Sequence, residues 1–166
     1  MKKGLQPAIS PDSSIIILGT MPGERSIALQ QYYGNPGNKF WTILFTIFNR
    51  PVSYDYADRL TLLKENKIAL WNVLRECERK GSSDSNIKNE IPNDFSWLHN
   101  NYPQISYVFF ESKAAAKYFE KHCKRRAGIR YHTLPSTSGL NARTTLAEKL
   151  EAWSVLKLVV NTITTI

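Results

Sequence analysis

Four short strand-like runs alternate with longer amphipathic stretches along the chain. The strand-like runs cover residues 15–18, 68–71, 107–110 and 129–134, and they are short enough to be strands buried in a parallel sheet. Between them, apolar residues recur at helical spacing. The predicted helices cover residues 26–31, 40–48, 56–65, 95–99 and 112–124, followed by a last helix that begins at Asn141 or Thr144 and ends near Leu158. This alternation predicts an α/β protein: a three-layer α/β/α sandwich with a four-stranded, mostly parallel sheet, in which residues 1–166 form a single domain.

The loops after these runs hold small and polar residues, at the places where open α/β sheets bind ligands. Residues 19–23 read GTMPG after the first run, Asn72 follows the second, Glu111 follows the third, and residues 135–139 read PSTSG after the fourth. The first loop has neither a GxGxxG nor a Walker pattern, so a dinucleotide or nucleoside triphosphate site is not favoured. Residues 75–85 are charged and then rich in Gly and Ser, which predicts a surface loop.

The segment of residues 32–41, which reads YYGNPGNKFW, is the most unusual stretch of the chain. A plain turn does not need four aromatic side chains around it, and a core helix does not need Asn-Pro-Gly-Asn in front of it. Asn38 is placed as the N-cap of the helix that follows. The rest of the chain is interpreted as a scaffold that holds this segment near residues 19–23 and 134–138.

Composition and charge limit the kinds of partner that the protein can have. The net charge is +8, from 22 Lys and Arg against 14 Asp and Glu, which favours a polyanionic partner. No apolar run approaches the roughly 20 residues that span a bilayer, and the N-terminus has no apolar segment of the kind found in signal peptides. Two distant cysteines and three scattered histidines form no metal-binding pattern. We therefore expect a cytoplasmic monomer without membrane association, metal or cofactor.

Five segments in a fixed order resemble the uracil-DNA glycosylase superfamily, and within it the hypoxanthine-DNA glycosylase branch. They read GTMPG (19–23, with Ser26), YYGNPGNKFW (32–41), LWNVL (70–74), GSSDS (81–85, with Ile87) and LPSTS (134–138). One such motif is weak evidence, whereas five in order are specific. The resemblance implies a glycosylase that hydrolyses the N-glycosidic bond of deaminated bases in DNA, with water as the nucleophile. It also implies a site at the carboxyl ends of the strands.

The resemblance implies roles for individual residues. Asn38 is the catalytic candidate, because the hypoxanthine branch relies on the Asn before x-Phe-Trp. The candidates for contacts with the expelled base are Tyr33, Asn72, Gly19, Thr20 and Met21. The candidates for contacts with the rest of the DNA are Ser26, Ser136, Thr137, Ser138, Leu140 and Arg143. Leu140 is the expected apolar wedge, and Tyr33 the expected stacking surface.

The chain also departs from the pattern of the wider superfamily. Many relatives have Asp or Asn at the position of Met21, where it activates water, and His or Asn at the position of Leu134. These losses leave a catalytically inactive DNA-binding module of the same fold as the alternative, with a nucleoside enzyme as a weaker one. The sequence also leaves open whether hypoxanthine, uracil or xanthine is preferred, whether single or double strands are favoured, and whether Asn72 or Glu111 reads the base. Glu111 is a candidate base contact, but the sequence alone favours an exposed carboxylate at this position.

Overall fold

The structure, a computed structural model, describes residues 1–139 and 143–164. Seven strands and seven helices lie within these residues. In chain order they are β1 (Lys2–Lys3), β2 (Ile15–Gly19), α1 (Glu24–Leu29), α2 (Phe40–Ile47), α3 (Tyr56–Glu65), β3 (Ile68–Asn72), β4 (Leu74–Glu78), β5 (Lys88–Pro92), α4 (Phe95–Asn101), β6 (Tyr107–Phe110), α5 (Lys113–His122), β7 (Arg130–Thr133), α6 (Leu146–Trp153) and α7 (Val155–Thr164). A short 3-10 turn, Asp84–Asn86, precedes β5.

The four predicted strands form one parallel sheet in the order β3-β2-β6-β7. The register places Gly19 opposite Asn72 on one side of β2, and Leu18 opposite Phe110 on the other. The four-stranded parallel sheet expected from the sequence is therefore confirmed. Every residue of β2 and β3 is buried, which explains why these two runs are continuously apolar rather than alternating.

Helices cover both faces of this sheet, as the three-layer prediction requires. Ile15 and Ile17 pack on one face against residues of α2, α3, α6 and α7. Ile16 and Leu18 pack on the other face against residues of α4 and α5. The connection from β2 to β3 therefore covers one face and the connection from β3 to β6 covers the other. This change of direction at β2 opens a crevice at the carboxyl ends of the strands, where ligands bind in open α/β sheets.

A second, antiparallel sheet of order β1-β4-β5 lies beside the first, and the sequence did not predict it. The expectation of a surface loop over residues 75–85 was wrong at its start, because Leu74–Glu78 forms the central strand β4. The pairing of β4 with β5 carries register shifts, and such irregularities break the period of two that identifies a strand. In the sequence of β4, the charged residues are therefore more apparent than any strand-like alternation.

The last helix is also different from the prediction. Two helices, α6 and α7, replace the single one, and α7 continues to Thr164 rather than ending near Leu158. Ser154 separates them, and its hydroxyl donates a hydrogen bond of 2.7 Å to the carbonyl of Leu150. Bonds of this kind compete with the regular helix pattern and bend it.

Among the described residues, no helix is long and apolar enough to cross a membrane.

Candidate active site

The floor of the crevice is formed by the ends of three neighbouring strands. Asn72 lies on one side of Gly19, and Glu111 lies on the other side, where its N–H donates to the carbonyl of Leu18 at 2.9 Å. A Cβ atom added to Gly19 would lie 2.9 Å from the Asn72 Nδ2 and 3.3 Å from the Tyr33 hydroxyl. Glycine is therefore required here because the side chains of two neighbours occupy the space above it.

Asn72 is buried, with only 5% of its surface exposed. Its backbone carbonyl accepts a hydrogen bond of 2.8 Å from Asn93 Nδ2. Its side-chain oxygen Oδ1 has no hydrogen-bond partner within the described part of the chain. A buried acceptor without a partner costs free energy of folding, so such groups are rare outside functional sites. The end of β3 therefore presents an unsatisfied acceptor at the crevice floor.

Asn38 lies in a tight turn at the side of the crevice. Its N–H donates to the carbonyl of Asn35 at 3.0 Å, and the N–H of Gly37 donates to Asn35 Oδ1 at 2.9 Å. Its own Oδ1 accepts from the N–H of Phe40 at 2.9 Å. This contact holds Asn38 at the start of α2, but the N-cap is Lys39, one residue after the predicted Asn38. The amide nitrogen Nδ2 makes no hydrogen bond to any residue that the structure describes, so it is available for another partner.

Tyr33 lies between this turn and the floor. Its ring stacks on Phe40 at a centroid distance of 3.8 Å and an interplanar angle of 16°, while its hydroxyl approaches Gly19. Its backbone is left-handed, with a φ of 53°, a strained conformation for an aromatic residue that often marks functional sites. Burial and, after it, the Glu111 carboxyl raise the pKa of the Tyr33 phenol well above its usual value. The phenol is therefore neutral.

The loop after β7 is connected to the floor through Thr137, which is completely buried. The Thr137 N–H and hydroxyl donate to Glu111 Oε1 at 3.0 and 2.8 Å, and the Ser136 hydroxyl donates to the same oxygen at 3.5 Å. The Thr137 carbonyl in turn accepts from the N–H of Lys39 at 3.0 Å. Glu111 is therefore connected through Thr137 to the residue that follows Asn38.

The same loop also touches the Asn35–Asn38 turn directly. A Cβ atom added to Gly139 would lie only 2.7 Å from the backbone carbonyl of Gly37. The Lys149 ammonium donates to the carbonyl of Ser138 at 3.3 Å and holds the loop from the side of α6. These backbone contacts bring together two segments that lie about a hundred residues apart in the sequence.

Glu111 differs from the expectation of an exposed carboxylate, because only 8% of its surface is exposed. Burial raises its pKa to about 7, against the lowering effect of the Thr137 and Ser136 hydrogen bonds, and Asp84 raises it further. The sequence offered one signal for this residue. Glu111 directly follows a buried strand, in the same position relative to β6 as Asn72 has at the end of β3.

A second carboxyl group, that of Asp84, was not singled out from the sequence. Burial raises its pKa, and the Thr20 hydroxyl and the Arg79 guanidinium act in the opposite direction. Arg79 is only 6% exposed and donates to the carbonyls of Pro22 and Gly81 at 2.7 and 2.8 Å. It thereby connects the loop after β2 with the loop that carries Asp84. Its local sequence is simply charged, so nothing marked it as buried.

The remaining predicted residues fall into three groups. Thr20, Met21 and Ser26 are buried, and the Ser26 hydroxyl accepts the N–H of Gly34 at 2.9 Å. Ser136 and Ser138 are half-buried at the crevice, and Arg143 is exposed. Leu140 lies outside the described residues. Leu134 is buried in the core, so Ser136 and Glu111 are the groups at this end of the crevice. Within the described ranges no cluster of three or more His, Cys, Asp or Glu could hold a metal ion.

Comparison with known proteins agrees with this geometry. Residues 6–157 match the sequence profile of the Uracil DNA glycosylase superfamily. The chain belongs to this superfamily. Both the family and the fold class expected from the five motifs are therefore confirmed.

Relatives within the uracil DNA glycosylase superfamily cover nearly the whole chain. A hypoxanthine DNA glycosylase of Methanosarcina barkeri (strain Fusaro / DSM 804) is 40% identical over 154 residues, which is 92% of this chain and 96% of the relative. A hypoxanthine DNA glycosylase of Methanosarcina acetivorans is 38% identical over 144 residues, 86% of this chain and 90% of the relative. The solution NMR structure of a candidate uracil DNA glycosylase from M. acetivorans superposes with a TM-score of 0.78 at 33% identity, covering 94% of this chain and 98% of that one.

Proposed function

We propose that this DNA glycosylase removes hypoxanthine from DNA, and that uracil or xanthine is a further substrate. The observation that carries the proposal is the 40% identity, across 92% of the chain, to a protein named hypoxanthine DNA glycosylase. The nucleophile is water, and the protein acts as a monomer without a cofactor. The net charge of +8 suits a DNA substrate.

Asn38 positions the attacking water in this proposal. Cleavage of an N-glycosidic bond passes through an oxocarbenium-like sugar, which reacts readily with water and does not demand a strong base. The Asn38 Oδ1 is fixed by the N–H of Phe40, and an amide oxygen has a second lone pair that can accept a hydrogen bond from water. Its Nδ2 can donate to the departing base. Holding both partners at reacting distance supplies much of the rate enhancement.

The expelled base lies at the strand ends in this proposal, against the Asn72 and Tyr33 side chains that cover Gly19. Phe40 supports one face of the Tyr33 ring, and the base stacks on the opposite face, a contact worth about 1–3 kcal/mol. Asn72 reads the base from the floor. Thr20 and Met21 are buried, so they shape the loop around the base. A deaminated base is already mispaired, which lowers the cost of flipping it out of the duplex.

The flanking DNA is contacted by the loop after β7. Ser136 and Ser138 are half-buried in this loop and Arg143 is exposed, so these three are the candidates for phosphate contacts. Thr137 and Ser26 are buried and already hydrogen-bonded within the protein, and we assign them to holding the loops in place. Leu140 remains the candidate for the wedge that fills the vacated stack.

The proposal is tested with a duplex that carries one deoxyinosine. The protein is incubated with the duplex, and alkali then cleaves the strand wherever a base has been lost. We expect cleavage at the inosine and weaker cleavage at uracil or xanthine in matched duplexes. Absence of cleavage with all three would overturn the proposal. If binding to the same duplexes then weakens steeply with salt, the alternative of an inactive DNA-binding module is correct.

Replacing Gly19 with Ala should block base release without unfolding the protein. The new Cβ would lie 2.9 Å from Asn72 Nδ2, so the Asn72 amide must move. Misplacing a positioned group by about 1 Å can cost about 100-fold in rate. Gly23→Ala is the matched control, because its Cβ would meet only the Ser82 side chain, at 3.3 Å or more. Single-turnover rates on the inosine duplex and thermal melting of both variants provide the measurement. Equal rates for the two variants would refute the assignment of the floor.

A further inference from the structure

Glu111 is placed beside the proposed base site but is not part of the chemistry described so far. It flanks Gly19 on the side opposite Asn72, since its N–H pairs with Leu18 while Asn72 pairs with Gly19. The side chains of Asn72 and Glu111 therefore rise from the two strands on either side of β2. A base bound at the ends of these strands would lie between them.

The two oxygens of Glu111 have different surroundings. Oε1 accepts three hydrogen bonds, from the Thr137 N–H, the Thr137 hydroxyl and the Ser136 hydroxyl, at 3.0, 2.8 and 3.5 Å. Oε2 has no hydrogen bond to any residue in the described ranges. A protonated carboxyl has one carbonyl oxygen, which only accepts, and one O–H, which donates. The three donors identify Oε1 as the carbonyl oxygen and leave the proton to Oε2.

The groups that face Glu111 favour its neutral form. The titratable neighbours are Asp84, whose negative charge disfavours a second one nearby, and Tyr33, whose phenol is neutral. The described residues of the loop after β7 contact Glu111 through hydroxyls and a backbone N–H, and none of these contacts supplies a cation. Burial, chiefly, and Asp84 raise the pKa of Glu111 to about 7, although the hydrogen bonds from Thr137 and Ser136 lower it. A large share of the molecules therefore carries a neutral Glu111 at neutral pH.

Asn72 and a neutral Glu111 together match one edge of a deaminated base. Hypoxanthine, uracil and xanthine each present an N–H donor next to a carbonyl acceptor. Asn72 offers the unsatisfied acceptor Oδ1, and Glu111 offers the O–H donor. Adenine presents the reverse order, a ring-nitrogen acceptor next to an amino donor, and it would leave both protein groups unpaired. Buried polar groups left unpaired in this way are a strong means of rejecting a substrate.

We propose that Glu111 is a specificity-determining residue, which donates a hydrogen bond from a protonated Oε2 to the carbonyl oxygen of the expelled base. The inference rests on the proposed function and names the substrate feature that the site recognises: a base carbonyl next to a ring N–H. Thr137 and Ser136 orient the carboxyl group for this contact.

Glu111→Gln is the matched variant, because its amide oxygen can accept the three hydrogen bonds at Oε1 while its NH₂ donates from the position of Oε2. Inosine release by the wild-type protein should fall roughly tenfold for each pH unit above about 7, as Glu111 ionises. Glu111→Gln should keep a flat profile over the same range. Coincident profiles for the two proteins would overturn the proposal.

Glu111→Ala separates recognition of the base from a purely structural role. It should lower the release of hypoxanthine about 10- to 100-fold more than the release of unsubstituted purine, which lacks the carbonyl, because the lost Thr137 contacts slow both substrates alike. Thr137→Val loosens the loop while keeping the acid, so it should slow both substrates alike and retain the fall at alkaline pH. Equal losses on both substrates in Glu111→Ala would show that Glu111 acts only on the structure.

A measurement on the wild-type protein completes the test and does not depend on how the variants fold. Carbon-13 NMR of labelled glutamate side chains should show the Glu111 carboxyl titrating near pH 7, and a midpoint below about 5 would overturn the proposal. If the wild-type protein releases none of the three deaminated bases, the proposed function fails and the base contact fails with it. If hypoxanthine is released and the pH profile of Glu111→Gln is the same as that of the wild-type protein, the Glu111 contact alone is rejected.

Discussion

Asn38→Ala should lower hypoxanthine release about 100- to 1,000-fold, the range seen when one positioned polar group is removed from an active site. The reason is geometric. Asn38 has its Oδ1 fixed by Phe40 and its Nδ2 unused by the described residues, and it is the amide that the turn at the side of the crevice holds above the floor. The measurement is a single-turnover rate on the deoxyinosine duplex with protein in excess.

The control must account for the structural contact that Asn38 also makes. Its loss should reduce stability by about 1 kcal/mol, as for other residues that cap helices. Asp55→Ala removes a matching contact at α3, where Asp55 Oδ1 accepts the N–H of Ala57 at 3.0 Å. This variant should lose similar stability yet keep its rate. If Asn38→Ala retains more than about a tenth of the wild-type rate, positioning of this kind is not the role of Asn38.

Phe40→Ala should cost about 3–5 kcal/mol of folding free energy, the usual range for emptying a buried phenylalanine site. Phe40 is fully buried, stacks on Tyr33, and packs edge-on against Trp41 and Trp153 at centroid distances of 4.9 and 5.8 Å. Such a loss is a large part of the roughly 5–15 kcal/mol that stabilises a typical domain. Urea denaturation followed by circular dichroism measures it directly.

A comparison with the opposite face of the sheet separates stability from function. Phe119 is equally buried and packs against Phe95 and Phe110, far from Tyr33, so Phe119→Ala should lose similar stability but keep its rate per folded molecule. Phe40→Leu keeps an apolar side chain and removes only the ring beneath Tyr33. It should fold and release base more slowly. Unchanged release by folded Phe40→Leu would show that Tyr33 does not depend on this support.

The contacts around Thr137 hold the loops of the site in place. Glu111, Thr137 and Lys39 form a continuous hydrogen-bonded path from β6 to the residue after Asn38, and Gly139 packs against Gly37. The three loops are therefore fixed relative to one another by the protein's own contacts. A rigid arrangement is what positioning of water and base requires. Met21, which offers no group that could activate water, then has a structural place in the core.

The sequence predicts which segments carry the site, but not the surroundings of their side chains. Asn72 meets Gly19 because residues at the carboxyl ends of neighbouring parallel strands lie at one edge of the sheet, and Tyr33 reaches Gly19 from the segment between α1 and α2. Thr137 and Ser26 were expected to bind phosphates, yet their hydroxyls are buried and bonded within the protein. A hydroxyl in a loop looks the same in the sequence whether it points to solvent or inward.

The sequence by itself determined the parallel sheet, the order of its helices and the family, because apolar periodicity and short motifs are local properties of the chain. Only the tertiary structure decided which polar groups are buried. Glu111 and Arg79 become buried groups through contacts with segments distant in the sequence, and strand β4 exists because β1 and β5 pair with it. The charge state of a carboxyl group depends on desolvation and on neighbouring charges, and both are set by long-range packing. The acid that we propose to read the base is therefore identified by the fold, not by its motif.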